Sequence, residues 1–298
     1  MRVIRGRKAL ITGAASGIGR AIALALAREG ADLYLVDIDE KALAATARAA
    51  RLQGVEVATQ ICDLSEPAAI SECVAALRTW SGALHILVNN AGRVYYGPTD
   101  QMTSAQWNAL IAVNLLAPAQ LVRDLLPLLV AQEEAHILNV CSIFSLLPLR
   151  KGAAYQMSKY GLLGLSRALR AEYGRASFGV TALCPGFVRT PMIESTGDLG
   201  SCEKRRQIGA LASLTAEAVA ARAIKALRTN RGVVVMTPIG RVLWWIDRLA
   251  PGFLDWLVRE GWRRKGAIWA NPAEAAQRPP PERVRPVSEG SQRTINLS

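Results

Sequence analysis

The sequence predicts an α/β protein: a doubly wound, seven-stranded parallel sheet with helices on both faces. Three observations carry that expectation. Strand-length apolar runs alternate with helix-period segments from residue 8 to residue 236, the pattern of parallel strands joined by crossover helices. The runs are continuous and rich in β-branched residues rather than strictly alternating, as in strands covered on both sides. A glycine-rich turn, TGAASGIG, joins the first run to the first helix-period segment.

Taken in order, KALIT (8–12) reads as a buried strand and 17–29 as the helix that the glycine turn opens. DLYLVD (32–37) is the second strand, followed by an alanine-rich helix at 39–52. VEVATQI (55–61) precedes a helix at 66–80, and HILVNN (85–90) precedes a long helix over 104–131. HILNVCS (136–142) leads to a helix at 153–173, VTALCP (180–185) to one at 215–228, and VVVM (233–236) closes the series. This makes 1–238 the main domain, 239–269 an amphipathic helical extension, and 270–298 a proline-rich polar tail expected to be disordered. No internal repeat is present.

Composition narrows the classes. Half of the 298 residues are hydrophobic, enough for a full core. The five cysteines, Cys62, Cys73, Cys141, Cys184 and Cys202, are odd in number and contain no CxxC. They point to reduced thiols in a cytoplasmic protein rather than a disulfide framework. Two distant histidines, His85 and His136, each begin a strand; they read as structural, and no metal site is expected. The basic start (Arg2, Arg5, Arg7, Lys8) has no apolar run behind it, so it is not a secretory leader. The best membrane-span candidate, 110–131, carries Asn114, Arg123 and Asp124, so no spanning helix is expected. The net charge of +12 fits solubility, an anionic membrane surface or an acidic ligand. Nucleic acid has no motif behind it beyond that charge.

In TGAASGIG, Gly13, Gly17 and Gly19 allow a tight turn and close backbone approach, while Ser16 and Ile18 complete the loop. The following helix N-terminus suits a dinucleotide pyrophosphate. Asp37 ends the next strand, where a carboxylate can hold both ribose hydroxyls and repel a 2′-phosphate; the other reading is that it only ends the strand. Neither Ser16 nor Ile38 is basic, so NAD is expected rather than NADP. In AAYQMSKYG (153–161), Tyr155 and Lys159 are four apart and share a helix face, while Tyr160 points elsewhere. Alone, that pair is weak.

Together, TGxxxGIG, NNAG (89–92), VNLL around Asn114, Ser142, Tyr155-x-x-x-Lys159 and Pro185-Gly186 resemble the short-chain dehydrogenase/reductase family over roughly residues 6–236. The resemblance implies a Rossmann-like fold and an NAD-dependent oxidoreductase that interconverts an alcohol and a ketone. Ser142 lies about a dozen residues before Tyr155, the family spacing, which selects it over Ser145 and selects Tyr155 over Tyr160. By the resemblance, Tyr155 is the acid/base, Ser142 bonds the substrate oxygen, and Lys159 tunes Tyr155 and holds the nicotinamide ribose. The expected tuning lowers the phenol's pKa from near 10, through the ammonium and the positive nicotinamide ring. Asn114 keeps a water near Lys159; alternatively it is a polar residue kinking its helix. Asp63 and Leu64 contact adenine, Asn90 the adenosine ribose, and Val188 and Thr190 the nicotinamide amide. Asn89 is read as a sheet brace. Cys141 and Ser145 depart from the family's usual serine and glycine and are expected to reshape the pocket beside Ser142. Tyr95 and Tyr96 line the pocket mouth or simply pack.

Substrate choice is expected in the loop at about 191–212. The segment 239–265 reads as two short amphipathic helices broken at Pro251-Gly252, with tryptophans and arginines interspersed. It suits either a lid packed on the protein or peripheral membrane contact, and both favour a hydrophobic alcohol or ketone. A homodimer through 104–131 and 153–173, or a homotetramer, is implied by the resemblance. The competing readings are a non-catalytic NADH sensor at a membrane and a basic nucleic-acid binder.

Overall fold

The computed structural model describes residues 1, 3–148, 151–189 and 214–250, together with 252, 253, 256 and 260. Seven parallel strands form one sheet in the order β3-β2-β1-β4-β5-β6-β7. They are β1 (Lys8–Thr12), β2 (Asp32–Asp37), β3 (Val57–Ile61), β4 (Ile86–Asn89), β5 (Ala135–Val140), β6 (Phe178–Cys184) and β7 (Val233–Val235). The fold class is the one expected from the sequence.

Successive residues of each strand feed opposite layers, which is why the sequence runs are continuous. Ala9 and Ile11 pack with α1 (Gly17–Arg28) and α2 (Glu40–Arg51), joined on that face by α7 (Ala216–Thr229). Leu10 points the other way, to α3 (Pro67–Trp80), α5 (Ala117–Val130) and α6 (Ala153–Tyr173). Asp39 caps α2 by accepting from Ala42 N at 3.0 Å, and Thr215 caps α7 by accepting from Ala218 N at 3.1 Å. Each satisfies a first-turn donor that the helix cannot use itself.

The expected single helix over 104–131 is divided. It consists of α4 (Ser104–Ile111), a π-helical turn at Ala112–Leu116, and α5. Asn114 sits in the wide turn, the kind of insertion that gathers at functional positions. Ser104–Val130 is long and apolar enough to cross a membrane by length and composition alone, but Leu121, Leu125 and Leu129 are buried in the core. The first expected C-terminal helix is present as α8 (Pro238–Leu249); most of the second lies outside the described residues.

The strand order reverses between β1 and β4. The carboxyl ends of these strands open a crevice there, where doubly wound sheets bind ligands. Everything in the candidate site is carried to that edge.

Candidate active site

One half of the site is built from backbone. Gly13 (φ 65°) and Gly17 (φ 53°) take the left-handed conformation that favours glycine. A Cβ on Gly19 would overlap the Gly13 carbonyl oxygen, so that position also has no room for a side chain. Ser16 precedes α1 but accepts no hydrogen bond from it, and the first turn carries no acid. The α1 N–H groups therefore face the crevice without a side-chain cap, which fits an anionic phosphate.

Asp37 braces this loop. One oxygen accepts from Ala15 N at 2.8 Å, and the other from Ile38 N at 2.8 Å and Asp39 N at 3.1 Å. Ser16 is exposed and Ile38 is 57% exposed beside it. Asn90 is tied to the same loop, donating from Nδ2 to Thr12 O at 3.0 Å and Gly13 O at 3.1 Å. Thr12, the first residue of the glycine motif, was not singled out by sequence reasoning. Its hydroxyl accepts from Asn90 N (3.0 Å) and Ala91 N (3.1 Å), locking β1 to the turn after β4. Asp63 accepts from Ser65 N at 2.8 Å and the Ser65 hydroxyl at 2.7 Å, and these bonds hold its carboxyl below the usual range. Leu64 is buried in the adjoining core.

The other half carries reactive side chains. β5 ends just before Ser142, and α6 brings Tyr155 and Lys159 beside it. The Lys159 ammonium lies 5.9 Å from the centroid of the Tyr155 ring. It is 5% exposed and donates to Val140 O at 2.9 Å. The Tyr155 phenol hydrogen-bonds Ser142. Ser142 itself is fixed by two local bonds: its hydroxyl accepts from Phe144 N at 3.2 Å, and its N–H donates to the Ser145 hydroxyl at 3.1 Å. Ser145 thus serves as a strut where the family often has glycine.

Burial raises the Tyr155 phenol above its ordinary value, and the Ser142 bond only partly offsets this. Burial also lowers Lys159, against the pull of Cys141 and Cys184. The downward tuning of Tyr155 was expected from the ammonium and the positive nicotinamide ring together; within the chain alone, burial pulls the phenol the other way. Removing both side chains from water favours their neutral forms.

Asn114 is fully buried. Its Oδ1 accepts from Arg93 N (2.7 Å), and its Nδ2 donates to Arg93 O (2.8 Å) and the Ser158 hydroxyl (3.1 Å). A Cβ on Gly92 would lie 3.3 Å from Asn114 Oδ1 and 3.6 Å from Lys159 Nζ, so both groups abut the same glycine. Val188 is buried and bridges Leu214, closing the base of the expected substrate loop. Thr190 and residues 191–212 lie outside the described residues.

Asn89 braces the sheet as expected, donating to Asn139 Oδ1 at 2.8 Å. His136 is fully buried, with Nε2 2.8 Å from the Thr181 hydroxyl, and His85 accepts from Lys8 N at 3.1 Å. Both roles are structural. The Tyr95 hydroxyl folds over Gly97, 2.7 Å from where a Cβ would stand. A groove of about 470 Å³ between α1 and α7, lined by Gly17, Arg20, Arg189 and Thr215, lies away from Tyr155 and Ser142. No group of His, Cys, Asp and Glu among the described residues could hold a metal.

Fold and site together define a dinucleotide-binding α/β protein with a Ser–Tyr–Lys cluster beside the binding edge. A family model described as short chain dehydrogenase matches residues 7–198. Levodione reductase of Leifsonia aquatica is 34% identical over 194 residues, covering 64% of this chain and 72% of that protein. D-beta-hydroxybutyrate dehydrogenase of Cupriavidus necator is 31% identical over 192 residues, covering 64% and 74%. Among solved structures, a short chain dehydrogenase/reductase from Burkholderia phymatum in complex with NAD superposes with a TM-score of 0.77 at 28% identity, covering 85% of this chain and 96% of that one. A single-substitution variant of actinorhodin polyketide ketoreductase with NADPH gives 0.70 at 27%, covering 79% and 97%. The chain belongs to the short-chain dehydrogenase/reductase family. It is an oxidoreductase of CH–OH groups, with a fold that binds a nicotinamide cofactor.

Proposed function

We propose that the chain interconverts a hydrophobic secondary alcohol and its ketone with NAD(H), using Tyr155 as acid/base. The observation that carries this reading is the convergence of Tyr155, Ser142 and buried Lys159 at the end of β5. The glycine turn, the uncapped start of α1, and Asp37 fit a dinucleotide. Gly13, Ser16, Gly17, Ile18 and Gly19 would hold its phosphates, Asp37 and Asn90 the adenosine ribose, and Asp63 and Leu64 the adenine. Tyr155 and Lys159 would meet the nicotinamide ribose, and Val188 and Thr190 the amide.

A bound nicotinamide would supply the hydride acceptor or donor for the carbinol carbon, and its oxidised, positive form would favour the phenolate of Tyr155. Ser142 donates a hydrogen bond to the substrate oxygen and fixes it against Tyr155. In oxidation the Tyr155 oxygen takes the hydroxyl proton; in reduction it gives that proton to the carbonyl oxygen. Lys159 stabilises the phenolate with donors left over from its bond to Val140. Asn114 holds the loop after NNAG in place, and its π turn is where a water would connect Lys159 to solvent.

The NAD preference rests on Asp37, whose three backbone partners fix a carboxylate at the end of β2, a charge that would repel a 2′-phosphate held there. The hydrophobic substrate rests on the apolar wall beyond Ser142. There Phe144 meets Phe187 edge-on at 5.8 Å, and Ile143, Leu146 and Leu147 pack with Leu243 and Trp244 of α8. This contact also supports the inner face of α8, through Leu243 and Trp244, as helping to shape the pocket. A homodimer through α4–α5 and α6 suits the exposure of Leu116, Met157 and Tyr160. Four buried free cysteines among the described residues suit a reducing, cytoplasmic setting.

Incubation with long-chain, cyclic and aromatic alcohols and NAD or NADP, followed by absorbance of the reduced cofactor, tests the reading. NAD-dependent turnover that is lost in Tyr155→Phe is expected. Tight NADH binding with no turnover on any alcohol would favour the sensor reading instead.

A further inference from the structure

We propose that the outward face of α8 docks onto an anionic lipid surface. The helix is apolar on two opposite faces, and the fold uses only one. On the inner face Gly240 is buried, and a Cβ there would meet Ile143 Cδ1 at 2.6 Å. Leu243 and Trp244 pack on the cluster containing Cys141, Ile143 and Leu146. On the outer face Ile239, Val242, Trp245 and Leu249 are 71%, 58%, 55% and 79% exposed. Their three- and four-residue spacing aligns them in one stripe. Beyond the end of the helix, Phe253 and Trp256 are also exposed and stack on each other with ring centroids 5.9 Å apart. A contiguous apolar stripe of this length marks a surface with a partner.

Charge selects the partner. Arg248 borders the stripe and is exposed, its guanidinium 5.6 Å from the Trp244 ring centroid. Arg241, exposed on the same side, keeps its Nε on Val235 O at 2.9 Å and has its other guanidinium donors left for a phosphate. The helix's acid, Asp247, is turned away from the stripe and acts on Tyr160 of α6. Among the described residues of α8, the outward face therefore carries cations and no acid, on a chain of net charge +12. A second copy docked through the same face would set arginine against arginine. A bilayer with anionic headgroups matches both features: the stripe enters the acyl boundary, tryptophan sits at the interface, and the arginines reach the phosphates.

The test uses the full chain with phosphatidylcholine vesicles, with and without phosphatidylglycerol, read by co-sedimentation. Binding to the anionic vesicles alone, weakening with salt, is expected. Trp245→Ser combined with Leu249→Ser should weaken it by at least about tenfold, and Arg248→Gln by about fivefold. Turnover of a soluble substrate should be unchanged in each. Bromolipid quenching of tryptophan emission in the unmodified chain reads the same contact without any substitution. The proposal is overturned by absent vesicle binding, or by binding that the double substitution leaves intact. It is equally overturned if that substitution only converts an oligomer to a smaller species.

Discussion

The two halves of the site hold their polar groups in opposite ways. At the nucleotide end, Asp37 accepts three backbone N–H groups, and Asn90 donates to two carbonyls. These side chains are largely spent on the protein and fix a backbone shape. At the β5–α6 end, Lys159 has three donors and gives one to Val140 O, while the Tyr155 phenol meets the Ser142 hydroxyl. Recognition of an invariant ligand is served by a rigid, satisfied frame. Proton transfer needs groups whose bonding capacity is still open.

The largest effect should come from the open half. Tyr155→Phe removes the proton carrier and should lower kcat by about a thousandfold, while NADH binding, followed by fluorescence, stays close to that of the unmodified chain. Because burial raises the phenol, kcat/KM for alcohol oxidation should climb with pH through the alkaline range, since the phenolate is the working form. Ketone reduction, which needs the protonated phenol, should instead fall there. If both activities peaked sharply at neutral pH, another group would be titrating. In the rigid half, Gly19→Ala drives a methyl into Gly13 O, against backbone that cannot yield cheaply. It should weaken NADH binding by more than about tenfold or lower the melting temperature. Unchanged binding would show that this half is softer than its hydrogen bonds imply.

A third effect lies beneath the reactive half. The Thr181 hydroxyl donates to Arg231 O at 2.5 Å, so it must accept from His136 Nε2, leaving Nδ1 bare among the described residues. Burial drives His136 down to about 3, well under the 6.5 of an exposed imidazole. The folded pKa is the lower one, so this contribution is complete above about pH 6.5 and is lost as pH falls towards 3. His85, also lowered by burial, acts in the same sense. Urea unfolding at pH 5 should show about 2 kcal/mol less stability than at neutral pH from His136 alone. A flat pH profile across that range would contradict a neutral buried ring.

Most of this was legible in the sequence because it depends on period and spacing. Continuous apolar runs announced two-sided burial, and the four-residue step from Tyr155 to Lys159 announced a shared face. The motif order placed Ser142 and Asn114. What stayed hidden depends on which side chains meet across long separations. Thr12 bonds the backbone 78 and 79 residues away, and no local pattern announces a hydroxyl's partner. The π turn at Ala112–Leu116 was missed because a one-residue widening leaves the helical apolar period nearly intact. The upward pull of burial on Tyr155 was not legible, because proximity of charge can be read from spacing, whereas burial can be read only from the fold.

The smallest expected effect tests the rigid half at its edge. Asp37 has two possible roles there: it bonds ribose hydroxyls, and it orients Ala15, Ile38 and Asp39 through their N–H groups. Asp37→Ser removes the charge while keeping a hydroxyl that can serve one of those donors. If the carboxylate bonds ribose, NADH affinity should fall by about tenfold, the cost of one charge-assisted hydrogen bond. NADPH should lose less, because the repulsion that its 2′-phosphate met is gone. Titration of both cofactors by fluorescence separates the roles. A parallel loss for NADH and NADPH would mean that Asp37 acts only through the loop. A wild-type chain already preferring NADPH would remove the basis for reading Asp37 as a selector.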